Sequence, residues 1–124
     1  GCNDTKVVAA NMKRFIDAGL AVWVTELDVT MQPGCTLDDQ AAVYSAMLGA
    51  CLANAPHCDS FMTWGFTDKY TWLPGTRPLM FDEQYQPKPA YFALQKLLAS
   101  GLAPAELARL SQKSNDDRAK RKAS

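Results

Sequence analysis

The sequence predicts an α/β fold in which helices alternate with the strands of a parallel sheet. Apolar residues at helical spacing are followed by a short β-branched and aromatic run, and this pair of patterns recurs before a long loop and a last helix. The resulting order, α-β-α-β-loop-α, is typical of βαβ units. The 124 residues, 48% hydrophobic and 21% charged, suffice for about one domain with a real core.

The first helix is predicted from about residue 4 to residue 18. Asn3 or Asp4 can cap its start, and Gly19 stands where a left-handed residue ends many helices. Its apolar side comprises Val8, Met12, Phe15 and Ile16. The next run, 20–25, is too short for a helix, and its composition predicts a central parallel strand that is apolar on both faces.

The second helix begins with a pattern that resembles a capping box, since Thr36 is followed three residues later by Asp39. The helix is expected to end before Pro56. One stripe of apolar residues follows its length: Leu37, Ala41, Tyr44, Leu48, Cys51 and Leu52.

The second strand is predicted at 60–64, and a long loop follows over 65–87. Pro89 suits the first turn of a third helix, because proline lacks the N–H that is unpaired there in any case. The apolar side of that helix comprises Tyr91, Leu94, Leu97 and Leu98.

The chain changes character after residue 101. Residues 104–110 can form one or two helical turns, whereas 111–124 are net basic and hold almost nothing that can be buried, which is typical of a solvated, disordered end. We therefore expect one domain at 1–100 and a partly disordered extension at 101–124. The 13 basic and 13 acidic residues cancel, so no net charge attracts nucleic acid or an anionic membrane. No apolar run approaches the ~20 residues of a membrane span.

The four cysteines form no C-x-x-C pair and have no spacing that suits zinc. His57 and Cys58 are adjacent, and two adjacent ligands do not make a metal site. Cys51 and Cys58 are close enough in sequence to form one short disulfide loop. Two buried thiols are an equal alternative on the residues alone.

Two acidic residues stand where the first strand ends. Side chains alternate along a strand, which places Glu26 on the same side as Val24, and Asp28 follows on that side if the backbone stays extended. Active sites of parallel α/β folds lie at the C-terminal ends of the strands. Glu26 and Asp28 are therefore candidate site residues, although a strand-end Glu26 can also simply cap the next element or pair with a lysine.

Two tryptophans stand at and after the end of the second strand. Trp64 closes the strand, and Trp72 lies in the loop. Tryptophan stacks on the apolar faces of pyranose rings, so two of them near a carboxylate indicate a sugar site. Core packing is the alternative, and it is weaker for Trp72 because its loop is rich in Gly, Pro and polar residues. Lys69 and Tyr70 beside it are expected to be solvated.

Several segments resemble glycoside hydrolase family 10, the endo-β-1,4-xylanases. Residues 19–29 (GLAVWVTELDV) resemble the active-site signature of that family, and 61–72 (FMTWGFTDKYTW) resemble its last-strand segment. Residues 78–83 and 86–91 resemble its closing loop and final helix. The resemblance covers about 4–99 and implies the C-terminal portion of a TIM (β/α)8 barrel, with its last two strands and three helices.

The resemblance implies retaining hydrolysis of xylan without a metal or cofactor. Glu26 matches the family's nucleophile. Asp28 matches the acid that, with a histidine, keeps the nucleophile ionised. Trp64 and Trp72 match aromatic residues that line the sugar subsites beside the cleaved bond.

The resemblance also bears on the cysteines. Cys51 and Cys58 match a disulfide that is common in the family, and a disulfide implies an exported, extracellular protein. Cys2 and Cys35 are expected to stay reduced or to pair with parts outside this chain.

Part of the family's machinery is not found in this sequence. Retaining hydrolysis needs a second carboxylate about 5–5.5 Å from the nucleophile. In the family it lies in an Asn-Glu pair on an earlier strand, and no Asn-Glu pair occurs here. The histidine partner of Asp28 also lies upstream in the family, and His57 is in the wrong place to replace it. We therefore expect a fragment of a secreted xylanase that needs the N-terminal part of its barrel, or, alternatively, a non-catalytic xylan-binding or interaction module.

Overall fold

The computed structural model describes residues 4–101 and, beyond them, 106, 109, 113, 116–117, 119–121 and 123. The elements are α1 (Lys6–Asp17), β1 (Val24–Leu27), α2 (Leu37–Ala53), β2 (Phe61–Thr63), a 3-10 helix (Asp68–Tyr70) and α3 (Pro89–Ala99). The predicted order of helices and strands is confirmed, and the long loop additionally contains the 3-10 helix.

The two strands pair in parallel, as the alternation of elements predicts. Val24 lies opposite Phe61 and Leu27 lies opposite Thr63, with an irregularity of register between these pairs. The carboxyl ends of both strands therefore lie at the same edge of the sheet, which is where the candidate site residues follow in the sequence.

The first strand begins later than predicted. The backbone N–H of Leu20 still donates to the Phe15 carbonyl at 3.1 Å, so Leu20 completes the end of α1. The Val22 N–H already donates to the His57 carbonyl at 2.8 Å, but the strand begins only at Val24. Val24 is buried in the core, but Trp23 is 62% exposed. The prediction of a strand buried on both faces is therefore wrong, because no described element covers Trp23.

Helix α2 is the centre of the core. Ten of its residues are buried, more than the single predicted stripe, because α1, α3 and the sheet all contribute side chains to one cluster around it. Its capping box is confirmed: Thr36 Oγ1 accepts from the Asp39 N–H at 3.1 Å, and the Asp39 carboxylate accepts from the Thr36 N–H at 3.0 Å. The left-handed Gly19 (φ 84°) and Pro89 in the first turn of α3 are also confirmed.

A disulfide joins Cys51 near the end of α2 to Cys58 ahead of β2, with the Cα atoms 5.1 Å apart. This confirms the pairing that the resemblance implies. Cys35 is also disulfide-bonded, so the expectation that it stays reduced or pairs elsewhere is wrong, while Cys2 lies outside the described residues. Over the described ranges, His, Cys, Asp and Glu side chains nowhere gather in a group of three that could hold a metal ion.

The described residues between 106 and 123 have helical backbone. Asp116 accepts a hydrogen bond from the Lys6 ammonium on α1 at 3.1 Å. The other positions of the extension, including much of the predicted basic end, lie outside the described residues. None of the helices described in this structure has the length and apolar character required to cross a membrane.

Two apolar surfaces are open at the outer sides of the sheet. A groove of about 720 Å³ beside β2 is lined by side chains that include Phe61, Met62 and Leu94, and one of about 320 Å³ beside β1 is lined by Phe15 and Trp23 among others. In the described part of the chain neither strand has a partner on its outer edge. Unpaired strand edges and large apolar surfaces favour association.

The 124-residue chain by itself is therefore expected to be helical, to bind hydrophobic dyes and to associate, rather than to melt as a cooperative monomer. Analytical ultracentrifugation over a dilution series, with thermal melts, measures this. Met62→Glu, inside the larger groove, should weaken the association, whereas Val7→Glu on the exposed side of α1 should leave it unchanged. A sharp two-state melt that does not depend on concentration would contradict the expectation.

Candidate active site

The carboxyl ends of β1 and β2 bring three of the four candidate side chains to one edge of the sheet. Glu26 lies within β1, with an exposed side chain, and Asp28 follows directly after the strand. Trp64 follows β2, and its backbone N–H donates to the Leu27 carbonyl at 3.4 Å. The Trp64 side chain is 51% exposed, so it is available to a ligand at this edge.

The fourth candidate, Trp72, contacts the same edge from the long loop. Its indole Nε1–H donates to Asp28 Oδ2 at 2.7 Å, across 44 residues of sequence. The other carboxylate oxygen, Asp28 Oδ1, is buried, and no residue in the described part of the chain bonds to it. A buried carboxylate oxygen ordinarily has a hydrogen-bond partner, so Asp28 is oriented by Trp72 on one side and ready to bond a donor on the other.

The loop that carries Trp72 is held against the segment after β1 by backbone hydrogen bonds. The Val29 N–H donates to the Pro78 carbonyl at 3.2 Å, and the Met31 N–H donates to the Thr76 carbonyl at 2.7 Å. These bonds fix the two chain segments side by side, which is why Trp72 reaches Asp28.

Gln40 on α2 strengthens this junction and was not found from the sequence. Its amide Nε2 donates to the Val29 carbonyl at 2.7 Å and to the Arg77 carbonyl at 2.8 Å. Gln40 is fully buried. The only available signal was a polar residue next to Ala41 of the predicted apolar stripe, and a sequence does not show which backbone groups such a side chain reaches.

Tyr44, one helical turn further along α2, supports the same loop. Its hydroxyl donates to the Pro78 carbonyl at 2.7 Å. Burial first, and then the negative charges of Asp28 and Asp68, raise the pKa of Tyr44 well above its ordinary value. The hydroxyl therefore stays protonated and remains a donor at every physiological pH.

A buried ion pair anchors the other end of the loop. Lys88, the residue before α3, lies 2.9 Å from Asp68, and both side chains are nearly inaccessible. The Lys88 ammonium also donates to the carbonyls of Arg77 (2.9 Å) and Leu79 (2.6 Å), while Asp68 accepts from the Leu79 N–H at 2.8 Å. Burial lowers the pKa of Lys88, and the charge of Asp68 opposes that effect. The Lys88 ammonium and the Asp68 carboxylate thus both bond to the backbone of the loop and hold it in place.

Replacing Lys88 by methionine is expected to loosen the loop markedly, because it leaves the Asp68 carboxylate buried without a counter-charge, at a cost of about 3–5 kcal/mol. Hydrogen exchange measured by mass spectrometry over residues 67–81 should become at least tenfold faster. Lys13→Met is the matched control, since it removes an exposed ion pair to Asp17, which is worth about 0.5 kcal/mol or less. Equal exchange in the two variants would contradict a structural role for the buried pair.

The site combines one exposed carboxylate, one oriented carboxylate and two exposed indole rings. Glu26 is open to a ligand, as a nucleophile must be, while Asp28 is fixed by the loop that also presents Trp72. Flat indole faces beside carboxylates suit a pyranose substrate. Lys69 and Tyr70 are exposed, in agreement with the expectation that they are solvated.

Comparison with known proteins shows similarity over most of the chain. The family model described as glycosyl hydrolase family 10 matches residues 2–97. Endo-1,4-beta-xylanase B of Thermotoga neapolitana is 41% identical in an alignment of 101 positions that covers 74% of this chain and 29% of that protein. Endo-1,4-beta-xylanase 5 of Pyricularia oryzae is 37% identical in an alignment of 107 positions that covers 79% of this chain and 26% of that protein.

Solved structures give the same result. Xylanase 10B of Thermotoga petrophila, in complex with xylobiose, matches with a TM-score of 0.67 at 37% identity, over 73% of this chain and 30% of that one. Native xylanase 10B of Thermotoga maritima matches with a TM-score of 0.66 at 38% identity, over 73% of this chain and 31% of that one. The chain thus spans less than a third of the length of these relatives.

Proposed function

Because this chain belongs to glycosyl hydrolase family 10, we propose that it forms the C-terminal part of a retaining endo-1,4-β-xylanase barrel and supplies the nucleophile. A TIM barrel has eight parallel strands, and this chain has two parallel strands whose outer edges are open in the described residues. The xylanase relatives, one of them solved with xylobiose, support xylan as the substrate.

One observation supports the assignment of roles most directly: the hydrogen bond from Trp72 to Asp28, at the strand end that carries Glu26. It connects a subsite aromatic to the acid beside the nucleophile, in agreement with the roles that the family resemblance implies. Trp64 on the neighbouring strand end is proposed, with Trp72, to line the sugar subsites beside the cleaved bond.

In the proposed reaction, a Glu26 carboxylate oxygen attacks the anomeric carbon while the glycosidic C–O bond breaks. A second carboxylate protonates the departing oxygen, and then removes a proton from the water that releases the sugar from Glu26. This general acid and base is proposed to lie in a part of the barrel outside the present sequence. Asp28 is proposed to keep Glu26 ionised together with a hydrogen-bond donor, a histidine in the family, that bonds to its unpaired Oδ1.

The proposed enzyme is secreted. The Cys51–Cys58 disulfide supports this, because disulfides persist in oxidising compartments. The proposed domain spans 1–100, with 101–124 as an extension outside the barrel. No metal or cofactor takes part in the proposed chemistry.

Covalent labelling tests the nucleophile. The probe is a 2-deoxy-2-fluoro xylobioside with a dinitrophenolate leaving group. The dinitrophenolate departs without acid assistance, and the fluorine slows release of the sugar from the enzyme. In a complete barrel that contains this chain, peptide mass spectrometry should find the sugar on Glu26 alone. A label on Asp28, or on neither residue, would overturn the assignment.

Xylan binding without catalysis is the second candidate function. It is favoured by the exposed Trp64 and Trp72 side chains, together with the lack of an Asn-Glu pair in the sequence. The two are separated by adding the remaining part of the barrel to the chain: a xylanase fragment should then hydrolyse xylan, whereas a binding module should not.

A further inference from the structure

A second group of aromatic rings lies exposed in the loops beyond the candidate active site. We call it the aromatic array and define it as Phe66, Lys69, Tyr70, Phe81 and Tyr85. Phe66 packs on Phe81 with ring centroids 4.6 Å apart and stacks on Tyr85 at 6.2 Å and 23°. The Lys69 ammonium lies 5.3 Å from the Tyr70 ring and 5.2 Å from the Tyr85 ring.

Its rings are accessible although they are mutually packed. Phe66, Tyr70 and Tyr85 are 55%, 72% and 45% exposed. Contiguous exposed apolar patches on a protein surface commonly mark a binding site.

The array is held in shape by bonds around it. The Tyr85 hydroxyl donates to the Tyr70 hydroxyl at 3.4 Å. That bond first, and then the charge of Lys69, lower the pKa of Tyr70. Tyr85 itself has a left-handed backbone (φ 62°), which is maintained because its N–H donates to the Asp82 carbonyl at 3.1 Å.

The two loop segments that carry the rings are also joined to each other. The Asp68 N–H donates to the Phe81 carbonyl at 2.9 Å, and Asp68 is itself fixed by the buried pair with Lys88. The rings therefore require little reordering when a ligand binds, which lowers the entropic cost of binding.

The chemistry of the surface identifies the ligand class. Flat ring faces pack against the C–H faces of pyranose rings, while two phenol hydroxyls and one ammonium can bond to sugar hydroxyls. One cation among aromatic rings, on a chain without net charge, is a poor match for a polyanion such as nucleic acid. Tyr70 is also only two residues from Trp72 in the same loop.

We propose that the aromatic array is a second binding site for β-1,4-linked xylan chains, separate from the catalytic residues. The site holds the polymer through stacking on Tyr70, Tyr85 and Phe66, and it performs no bond-breaking step. The choice of xylan among pyranose polymers rests on the proposed function.

The site is tested in a complete barrel that contains this chain, with Glu26→Ala to prevent hydrolysis and excess xylobiose to occupy the active site. Depletion of this protein by insoluble xylan and calorimetric titration of β-1,4-xylohexaose measure the binding. The paired change Tyr70→Ala with Tyr85→Ala should weaken xylan binding by about tenfold, because two ring faces are lost. Tyr70→Phe should keep most of the binding, because the ring face remains. Leu20→Ala is the control, since it removes a similarly exposed apolar side chain that lines neither groove described above and should leave binding unchanged.

Circular dichroism, and the Cys51–Cys58 disulfide measured by mass spectrometry, verify that the variants fold as the parent does. Unchanged xylan binding in the paired tyrosine variant overturns the proposal. So does a loss of self-association in that variant without a loss of xylan binding, which would make the array a contact between copies of the chain. If Glu26 proves dispensable for turnover while the tyrosine variant still loses binding, the proposed function fails and this site stands.

Discussion

Replacing Glu26 by alanine in a complete barrel that carries this chain is expected to lower kcat on xylan by about 10⁴-fold or more. The side chain is exposed at the end of β1, where it can reach a substrate, and no other described carboxylate combines such exposure with a position at this strand end. Its loss removes the bond-forming atom of the first step, so no covalent intermediate can form. The Kd for xylo-oligosaccharides should change little, because Trp64 and Trp72, the residues proposed to stack on the sugar, are unchanged.

Azide distinguishes a lost nucleophile from a damaged site. The small anion can enter the space left by the Glu26 side chain and attack the anomeric carbon of an aryl xylobioside from the same face. Turnover should then recover with the α-configured glycosyl azide as product. Glu83→Ala, which removes another exposed glutamate, is the matched control and should retain full activity. Near-normal activity in Glu26→Ala would exclude Glu26 from the mechanism.

The second large effect concerns the chain on its own. Purified residues 1–124 should release no reducing sugar from xylan at a rate attributable to two-carboxylate chemistry. Loss of a general acid by itself costs ~10²–10⁴-fold, and the sugar subsites proposed to lie elsewhere in the barrel are lost as well. The measurement compares xylan with a dinitrophenyl xylobioside, whose leaving group needs little protonation.

The same chain with Glu26→Ala is the background for that assay. Any turnover that both chains share comes from contamination, and only the difference between them reports on the site. Xylan hydrolysis by the parent chain near the rate of a full-length family member would overturn the proposed division of the active site. If the chain binds xylan, and adding the remaining part of the barrel still produces no hydrolysis, the hypothesis of a non-catalytic xylan-binding module is favoured.

Local signals in the sequence predicted most of the secondary structure correctly. The capping box at Thr36, the left-handed Gly19 and the proline that opens α3 each depend on a few neighbouring residues, and each lies where expected. The strand-end position of Glu26 and Asp28 also follows from local order, since two predicted strands in a βαβ unit must end at one edge.

The errors arise where distant parts of the chain meet. Trp23 lies in an apolar run that resembles a buried strand, yet it is exposed, because burial depends on which elements cover a strand and not on the strand's own residues. Cys35 gave no sign of its disulfide, since pairing depends on distance in space.

The sequence by itself thus determined the order of helices and strands, the capping box of α2 and the candidate site residues, but not the N-cap of α1, which is Thr5 and not the predicted Asn3 or Asp4. Only the tertiary structure decided how Trp72 reaches Asp28, through Gln40, Tyr44 and the buried Lys88–Asp68 pair. Those contacts join residues 20 to 44 positions apart, and a polar side chain becomes a fixed donor only once packing removes the water that would otherwise compete for it. Periodicity and propensity act over a few residues, whereas the geometry of a site is set by long-range burial.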